Sequence, residues 1–314
     1  MLAFITRRLI HTLIVIFIVS FISFSLLHFT PGDPALALLG PDATKEQVDA
    51  LRKTLWLDRP LPVQYGHWIT NVLQGDFGKS ITYYEDVTSV ILRSLPISLY
   101  LAGIAMVFST IMGISMGIIS AIRRGSLLDN VLSLFANLGI AIPIFWLGLL
   151  GIYVFAYRLG WLPIQGFTWP TVNLGKSIAQ SIMPVICLAL PSIAILARQT
   201  RSSMLEVIQQ DYIRTAKAKG LRERVVTLKH ALKNALIPVI TLMGVLARIL
   251  IGGSVLVETV FNIPGLGRLL VNAAFNKDII IVQAGVLIIS AITCLPNLAG
   301  DISYGWIDPR TRYE

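Results

Sequence analysis

The sequence predicts an all-α membrane protein with six transmembrane helices. Its 314 residues are 55% hydrophobic and only 14% charged, whereas soluble domains carry about 25% charged residues. About 20 apolar helical residues are needed to cross a hydrocarbon core of about 30 Å. Six runs meet this length: Leu9–Phe29, Leu95–Ile122, Val131–Tyr157, Ser177–Ala197, Ala235–Val257 and Ile279–Gly300. The fifth run contains one charged residue, Arg248, and the other five contain none.

The first span begins like a secretory signal peptide, with the basic pair Arg7 and Arg8 before an apolar stretch. Its stretch of about 21 residues is longer than the apolar region of about 7–15 residues in a signal peptide, and no small-residue cleavage site follows it. We therefore expect residues 1–30 to form a cytoplasmic N-terminal end and a retained first helix.

Six spans place both termini on one side of the membrane. The short segments around Arg7, Arg123, residues 198–233 and the tail 301–314 carry 15 of the 26 basic residues. By the positive-inside rule this side is cytoplasmic. The loop 31–94, with 8 acidic and 6 basic residues, is then extracytoplasmic. The net charge of +9 reflects this topology, and nucleic-acid binding is not expected because the basic residues are not interleaved with stacking aromatic residues.

The extracytoplasmic loop is predicted to contain short helices. Thr44 and Gln47 match a capping box, after which Val48, Leu51 and Leu55 share one helical face. A second helix is expected over 63–73, where aromatic residues suit a lid at the membrane interface. The aromatic residues of this loop are Trp56, Tyr65, Trp68, Tyr83 and Tyr84.

Small residues at a spacing of four follow one face of the second span. They are Ala105, Ser109, Gly113, Gly117 and Ala121. Small residues let membrane helices approach closely, so this stripe predicts a helix-packing seam. The later spans contain Pro143, Pro184, Pro191 and Pro296. These predict kinks, either ordinary ones or kinks that line a substrate path.

Signatures of catalysis, nucleotide binding and metal binding do not occur in the sequence. The tripeptide at Gly78 resembles the end of a phosphate-binding loop, but that loop needs a glycine where Leu73 stands. The four histidines are scattered, and no nucleophile elbow is present. Cys187 and Cys294 fall within spans and are expected to be inert thiols. We predict no enzyme activity, no cofactor and no metal in this chain.

A basic cytoplasmic segment, about 198–234, is patterned rather than random. Met204, Leu205, Ile208 and Tyr212 recur at helical spacing before Gly220, and apolar residues recur again after it. The pattern predicts two short amphipathic helices that meet at the glycine. Such a projection suits docking of a partner protein, and a pair of helices on the membrane surface is the alternative.

This segment carries a family resemblance. Residues 211–220 (DYIRTAKAKG) and 230–238 (HALKNALIP) resemble the coupling-helix signature of binding-protein-dependent ABC permeases, in particular the dipeptide, oligopeptide, glutathione and nickel branch. Arg214 stands where the general pattern has an acidic residue. Further similar segments are PGDP at 31–34, LDRPLPVQYGHWI at 57–69, GDFGKS at 75–80, ETVFNIPGLGRLL at 258–270 and DPR at 308–310.

The resemblance covers nearly the whole chain and implies a type I, MetI-like ABC importer transmembrane domain, with 95–300 as the permease core. It implies a bacterial inner-membrane subunit that pairs with a second homologous permease, two cytoplasmic ATPases that bind ATP, and an extracytoplasmic solute-binding protein. The residues implied in ATPase coupling are Asp211, Tyr212, Arg214, Thr215, Ala216, Gly220 and Leu221.

Arg248 is the one charge predicted within a span, so it should face protein or water. A structural partner and a place on the pathway wall near a substrate carboxylate are both open. Small peptides are the leading substrate expected from the resemblance, with nickel or a nickel complex as the alternative. A secondary carrier would need an ionisable group at mid-membrane, and an intramembrane hydrolase would need a Ser–His or paired-Asp site. The predicted spans contain no acidic residue and no such paired site, and the two histidines within them, His11 and His28, lie on the first span with no acid at membrane depth.

Overall fold

The computed structural model describes residues 2–29, 34–40, 43–54 and 56–307. The predicted all-α membrane fold is confirmed: in these ranges the regular structure is helical apart from one isolated bridge between Lys79 and Asp86. The helices are α1 (Leu2–Phe29), α2 (Pro34–Leu39), α3 (Lys45–Thr54), α4 (Leu61–Leu73), α5 (Val87–Ile122), α6 (Leu127–Ala141), α7 (Ile144–Gly151), α8 (Leu174–Ile208), α9 (Asp211–Ala218), α10 (Glu223–Val225), α11 (Leu232–Val260), α12 (Leu266–Phe275) and α13 (Ile279–Ile307).

Five helical segments of the described chain are long and apolar enough to cross a membrane. They are Ile5–Leu26, Val87–Ile122, Leu174–Ile208, Glu223–Val260 and Ile279–Leu298. The second, third and fourth of these segments are longer than their apolar runs, since the helix continues into polar residues at one end or both. The structure therefore places the ends of these spans several residues beyond where hydropathy alone puts them.

The third span is broken rather than kinked. Helix α6 ends at Ala141, and the following segment Ile144–Arg158 departs from it by 103°. Ile142 is extended, with φ −81° and ψ 124°, because the ring of Pro143 disfavours the helical conformation in the preceding residue. Helix α7 then continues into a π-helical turn over Ile152–Arg158. By contrast, α8 contains Pro184 and Pro191 without a break.

Within the loop 31–94, helix α4 rests on the first span. The capping box of α3 is present, with the Thr44 backbone N–H donating to Oε1 of Gln47 at 2.9 Å and the Gln47 N–H to Oγ1 of Thr44 at 3.3 Å. Tyr65 of α4 packs edge-on against Phe17 and Phe21 of α1. Val48 is buried; Leu55 and the segments 31–33 and 308–310 fall outside the described residues.

The cytoplasmic segment differs from the predicted pair of short helices. Met204, Leu205 and Ile208 belong to the end of the long helix α8, and only α9 is a separate short helix. The part after the glycine is not separate either, because α10, a π-helical turn over Val226–Ala231 and α11 follow one another without a gap. The hydrophobic periodicity continues from Met204 to Tyr212, so it does not reveal that α8 ends at Ile208. It also gives no sign that the helix after Gly220 joins α11.

Candidate functional site

Helix α9 lies between the end of α8 and the start of α11, and its two sides differ. Ile213 and Ala216 are buried on its inner side, where they join a cluster with Met204 of α8 and with Val226 and Ala231 of the π-helical turn. The burial of these two apolar side chains holds the helix in place by the hydrophobic effect.

The outer side of α9 is open to solvent. Asp211, Arg214 and Thr215 are exposed, and Gly220 and Leu221 continue this surface beyond the helix end. The ion pair between Arg214 and Asp211 spans 3.5 Å between largely exposed side chains, and such pairs contribute little to stability. These exposed side chains are therefore available for contact with another molecule.

The two segments of the predicted coupling motif, 211–220 and 230–238, contact each other in the fold. The Asn234 amide, at the start of α11, donates a hydrogen bond of 2.7 Å to the hydroxyl of Tyr212 in α9. Gly220 has a φ of +76°, a left-handed conformation that glycine adopts without the steric cost of a side chain. Lys217 and Glu223 form an ion pair of 3.1 Å across this turn. The turn thus returns the chain so that α11 begins beside α9.

An ion pair between a buried carboxylate and a partly exposed guanidinium lies next to this surface, and sequence reasoning missed it. Arg201 of α8 donates from Nε and Nη2 to the two carboxylate oxygens of Asp129, both at 2.9 Å. The carboxylate also accepts a short hydrogen bond from the Ser120 hydroxyl and one of 2.9 Å from the Gly125 backbone N–H. Asp129 is 3% exposed. The pair joins α5, α6 and α8 at the same end of the bundle as α9.

A local signal for part of this pair does exist in the sequence. Ser126 and Asp129 match the capping pattern at a helix start, and the Ser126 hydroxyl accepts from the Asp129 N–H at 3.2 Å. The pattern marks where α6 begins. It carries no information about Arg201, which is 72 residues away.

The small-residue stripe of α5 lies against α8. Its five members are buried, namely Ala105, Ser109, Gly113, Gly117 and Ala121, and α5 and α8 form the most extensive helix–helix contact in the described chain. A Cβ added at Gly113 would lie 2.6 Å from Cβ of Leu196, and one added at Gly117 would lie 2.5 Å from Cβ of Thr200. The helices approach too closely there for any side chain.

Arg248 points away from the body of the described chain. It is exposed on α11, and none of the described residues forms an ion pair or hydrogen bond with its side chain. Val245, Gly252 and Leu256 are exposed on the same helix at spacings that place them beside it. This strip of α11 presents a cation within an otherwise apolar surface.

The prediction that the spans contain no acidic residue needs correction at two span ends. Asp129 lies in the first turns of α6, and Glu258 lies in the last turn of α11, because both helices extend beyond their apolar runs. The Glu258 side chain is fully buried. Its Oε2 accepts a 3.1 Å bond from the Arg268 backbone N–H, in the first turn of α12. Neither residue is at mid-membrane by sequence position.

Two other motif segments, 75–80 and 258–270, take part in capping sites at the opposite end of the bundle from α9. Ser98 of α5 accepts a 2.8 Å bond from the Leu266 N–H, so that Ser98 and Glu258 together cap α12. A side chain on Gly265 would collide with Glu258 and Ser98. Ser80 donates its hydroxyl proton to the buried carboxylate of Asp278 at 2.5 Å, just before α13. The tripeptide at 78–80 is therefore a structural link.

Comparison with known families and proteins agrees with this architecture. Residues 113–313 match the family described as binding-protein-dependent transport system inner membrane component, and residues 1–102 match the N-terminal family of the same systems. Over 310 residues, 99% of both chains, the sequence is 42% identical to a probable peptide ABC transporter permease protein of Sinorhizobium fredii.

Two further relatives have different printed substrates. The chain is 39% identical over 333 residues to the dipeptide transport system permease protein DppB of Alkalihalophilus pseudofirmus, covering 100% of both chains. It is 41% identical over 314 residues to the glutathione transport system permease protein GsiC of Escherichia coli, again covering 100% of both. A solved structure of the MetNI methionine ABC transporter in an inward-facing conformation has a TM-score of 0.58 at 18% identity, covering 70% of this chain and 96% of that one. That likeness shows a shared fold.

Proposed function

Because the chain belongs to the family of binding-protein-dependent transport system inner membrane components, we propose that it forms half of the translocation pathway of an ATP-driven importer of small peptides. The chain itself is non-catalytic in this proposal and binds no cofactor. A second permease completes the pathway, two cytoplasmic ATPases bind and hydrolyse ATP, and an extracytoplasmic binding protein delivers the peptide. The subunit lies in the bacterial inner membrane with both termini in the cytoplasm.

The observation that best supports the coupling role is that α9 has one buried side and one exposed side. Its inner side is fixed by Ile213 and Ala216 in a buried cluster shared with α8 and α11, and its outer side is exposed. A push on the outer side therefore moves the ends of two membrane-spanning helices together. In the proposal, an ATPase binds this surface, formed by Asp211, Tyr212, Arg214, Thr215, Gly220 and Leu221.

Peptide as substrate is supported by relatives that are named for peptides, dipeptides and glutathione, a tripeptide-sized molecule with carboxylates. An exposed cation on α11, Arg248, suits a pathway for molecules that carry a carboxylate, since it lacks a counter-charge among the described residues. The absence of an acidic residue at the middle of the described spans fits energy supplied by ATP on partner subunits.

The test is ATP-dependent uptake in proteoliposomes that contain this chain and the permease, ATPases and binding protein encoded with it. Labelled dipeptide should accumulate, and nickel ions should not compete; competition by nickel at low concentration would favour the nickel alternative.

Gly220→Val should uncouple ATP hydrolysis from uptake, because valine opposes a φ of +76°. Gly160→Val is a matched control, since Gly160 also has a positive φ of +64° with open space around it and lies outside the cytoplasmic segment. Equal loss of uptake in both variants would remove the coupling role of this turn.

A further inference from the structure

A cavity of about 370 Å³ opens between α5, α6 and α8 at the end of the bundle near α9. Its polar lining consists of two guanidinium groups, one amide and three hydroxyl groups, from Arg198, Arg201, Asn137, Ser120, Ser133 and Ser202. Its volume falls within the range of about 300–1,000 Å³ that is typical of ligand sites. The cavity therefore has both the size and the donor groups to hold a small polar group.

The cavity carries one positive charge without a counter-charge. The charge of Arg201 is neutralised by Asp129, whose two carboxylate oxygens accept from Nε and Nη2 of Arg201. Arg198 donates from Nη2 to the Oδ1 of Asn137 at 2.9 Å and forms no ion pair with any acidic residue of the described chain. A guanidinium has five N–H donors. Its remaining donors, oriented by Asn137, favour an anion with two or more oxygens.

The surroundings of the cavity are those of a membrane surface. Met116, Leu132 and Leu205 form its apolar walls. On α6, Ile140 is exposed one turn beyond Ala136 and Asn137 on the same face of the helix, and an exposed isoleucine at this position is suited to contact with acyl chains. Polar donors thus lie at the end of an apolar helix surface, which is the arrangement of a phospholipid with its phosphate above its chains.

We propose that this cavity binds the headgroup phosphate of an anionic phospholipid of the cytoplasmic leaflet, with Arg198 as the principal ligand. Basic pockets between membrane helices on this side bind anionic headgroups in other proteins. The uncompensated charge selects phosphatidylglycerol over phosphatidylcholine, whose choline cancels the phosphate charge. The bound lipid joins α6 to α8 beside the Asp129–Arg201 ion pair. This assignment is independent of the transported substrate.

The experiment is native mass spectrometry of the full-length chain, purified with its partner subunits, during titration with phosphatidylglycerol or phosphatidylcholine. Arg198→Gln should weaken phosphatidylglycerol binding about tenfold, the effect of one charge-assisted hydrogen bond. Arg124→Gln removes the same charge from an exposed residue in the loop between α5 and α6, outside the cavity, and should leave the affinity unchanged. Asn137→Leu keeps every charge but removes the amide that orients Arg198, and should weaken binding by a smaller factor.

Any one of three results would overturn the assignment of the cavity to a lipid headgroup. Equal binding of phosphatidylglycerol by all variants would mean that the cavity is not the lipid site. Displacement by inorganic phosphate at equal concentration would indicate a site for a free anion. Displacement by a dipeptide would make the cavity part of the translocation pathway. Because the measurement counts bound lipid rather than transport, it gives a result whether or not the proposed peptide import is correct.

Discussion

The contact between α5 and α8 can be tested by adding a single methyl group. At Gly117 a Cβ would lie 2.5 Å from Cβ of Thr200 and 2.7 Å from the carbonyl oxygen of Ala197. Both atoms are part of the α8 backbone or attached directly to it, so no rotamer change relieves the overlap. Gly117→Ala must therefore push the two helices apart.

The expected magnitude combines two opposing effects. Overpacking a tight contact costs about 1–3 kcal/mol, whereas alanine in place of glycine favours a helix by about 1 kcal/mol. Gly103 lies in the same helix, is exposed, and has no heavy atom within 4 Å of an added Cβ. Gly103→Ala gains the helix propensity without the overlap. Since propensity cancels between the two variants, Gly117→Ala should be less stable than Gly103→Ala by about 1–3 kcal/mol.

The assay is reversible unfolding of each purified variant in mixed micelles, followed by tryptophan fluorescence. Gly103→Ala should be as stable as the wild-type chain or more stable, and Gly117→Ala should be less stable than both. If the two alanine variants have the same free energy of unfolding, α5 and α8 do not meet at Gly117. The steric reasoning about the whole stripe would then fail.

Three further predictions concern the ion pair, the turn around α9 and the orientation in the membrane. Asp129→Asn should destabilise the chain by about 1.5–3 kcal/mol, the value of hydrogen bonds to a charged group, because it weakens the bonds to Arg201, whose side chain is partly exposed; a double variant with Arg201→Gln should recover part of that loss in the same unfolding assay, and strict additivity would contradict a direct pair. Tyr212→Phe should cost about 0.5–1.5 kcal/mol through its hydrogen bond to α11 and lower the ATP-coupled uptake rate, whereas unchanged stability and uptake would remove that bond from the account. In intact cells, an impermeant thiol reagent should label a cysteine placed at Thr44 and not one placed at Lys219; labelling at Lys219 from outside would reverse the proposed topology.

Much of the fold follows from local properties of the sequence. The six apolar runs identify the spans because the bilayer requires each span to be apolar over a fixed length. The capping box at Thr44 and the turn at Gly220 also follow, since both depend on residues a few positions apart. The stripe on the second span shows which face of α5 is made of small residues.

The neighbour of that face does not follow from the sequence. Nothing in the stripe identifies α8 as the helix that packs on it, because small residues permit a close approach by any helix. The ends of the spans were misplaced for a related reason. Each apolar run ends at the first charged residue. The helices themselves continue through Asp129 and Glu258, because other helices donate hydrogen bonds to these carboxylates.

The sequence by itself determined the membrane class, the apolar runs of the spans and the position of the basic segment along the chain, since each depends on composition within a short stretch of chain. Only the tertiary structure decided which distant residues meet. Arg201 neutralises Asp129 across 72 residues, and Ser80 and Asp278 meet across 198. A buried carboxylate is stable only where donors surround it, and the packing of the whole bundle brings the distant donors Arg201 and Ser80 to these two carboxylates.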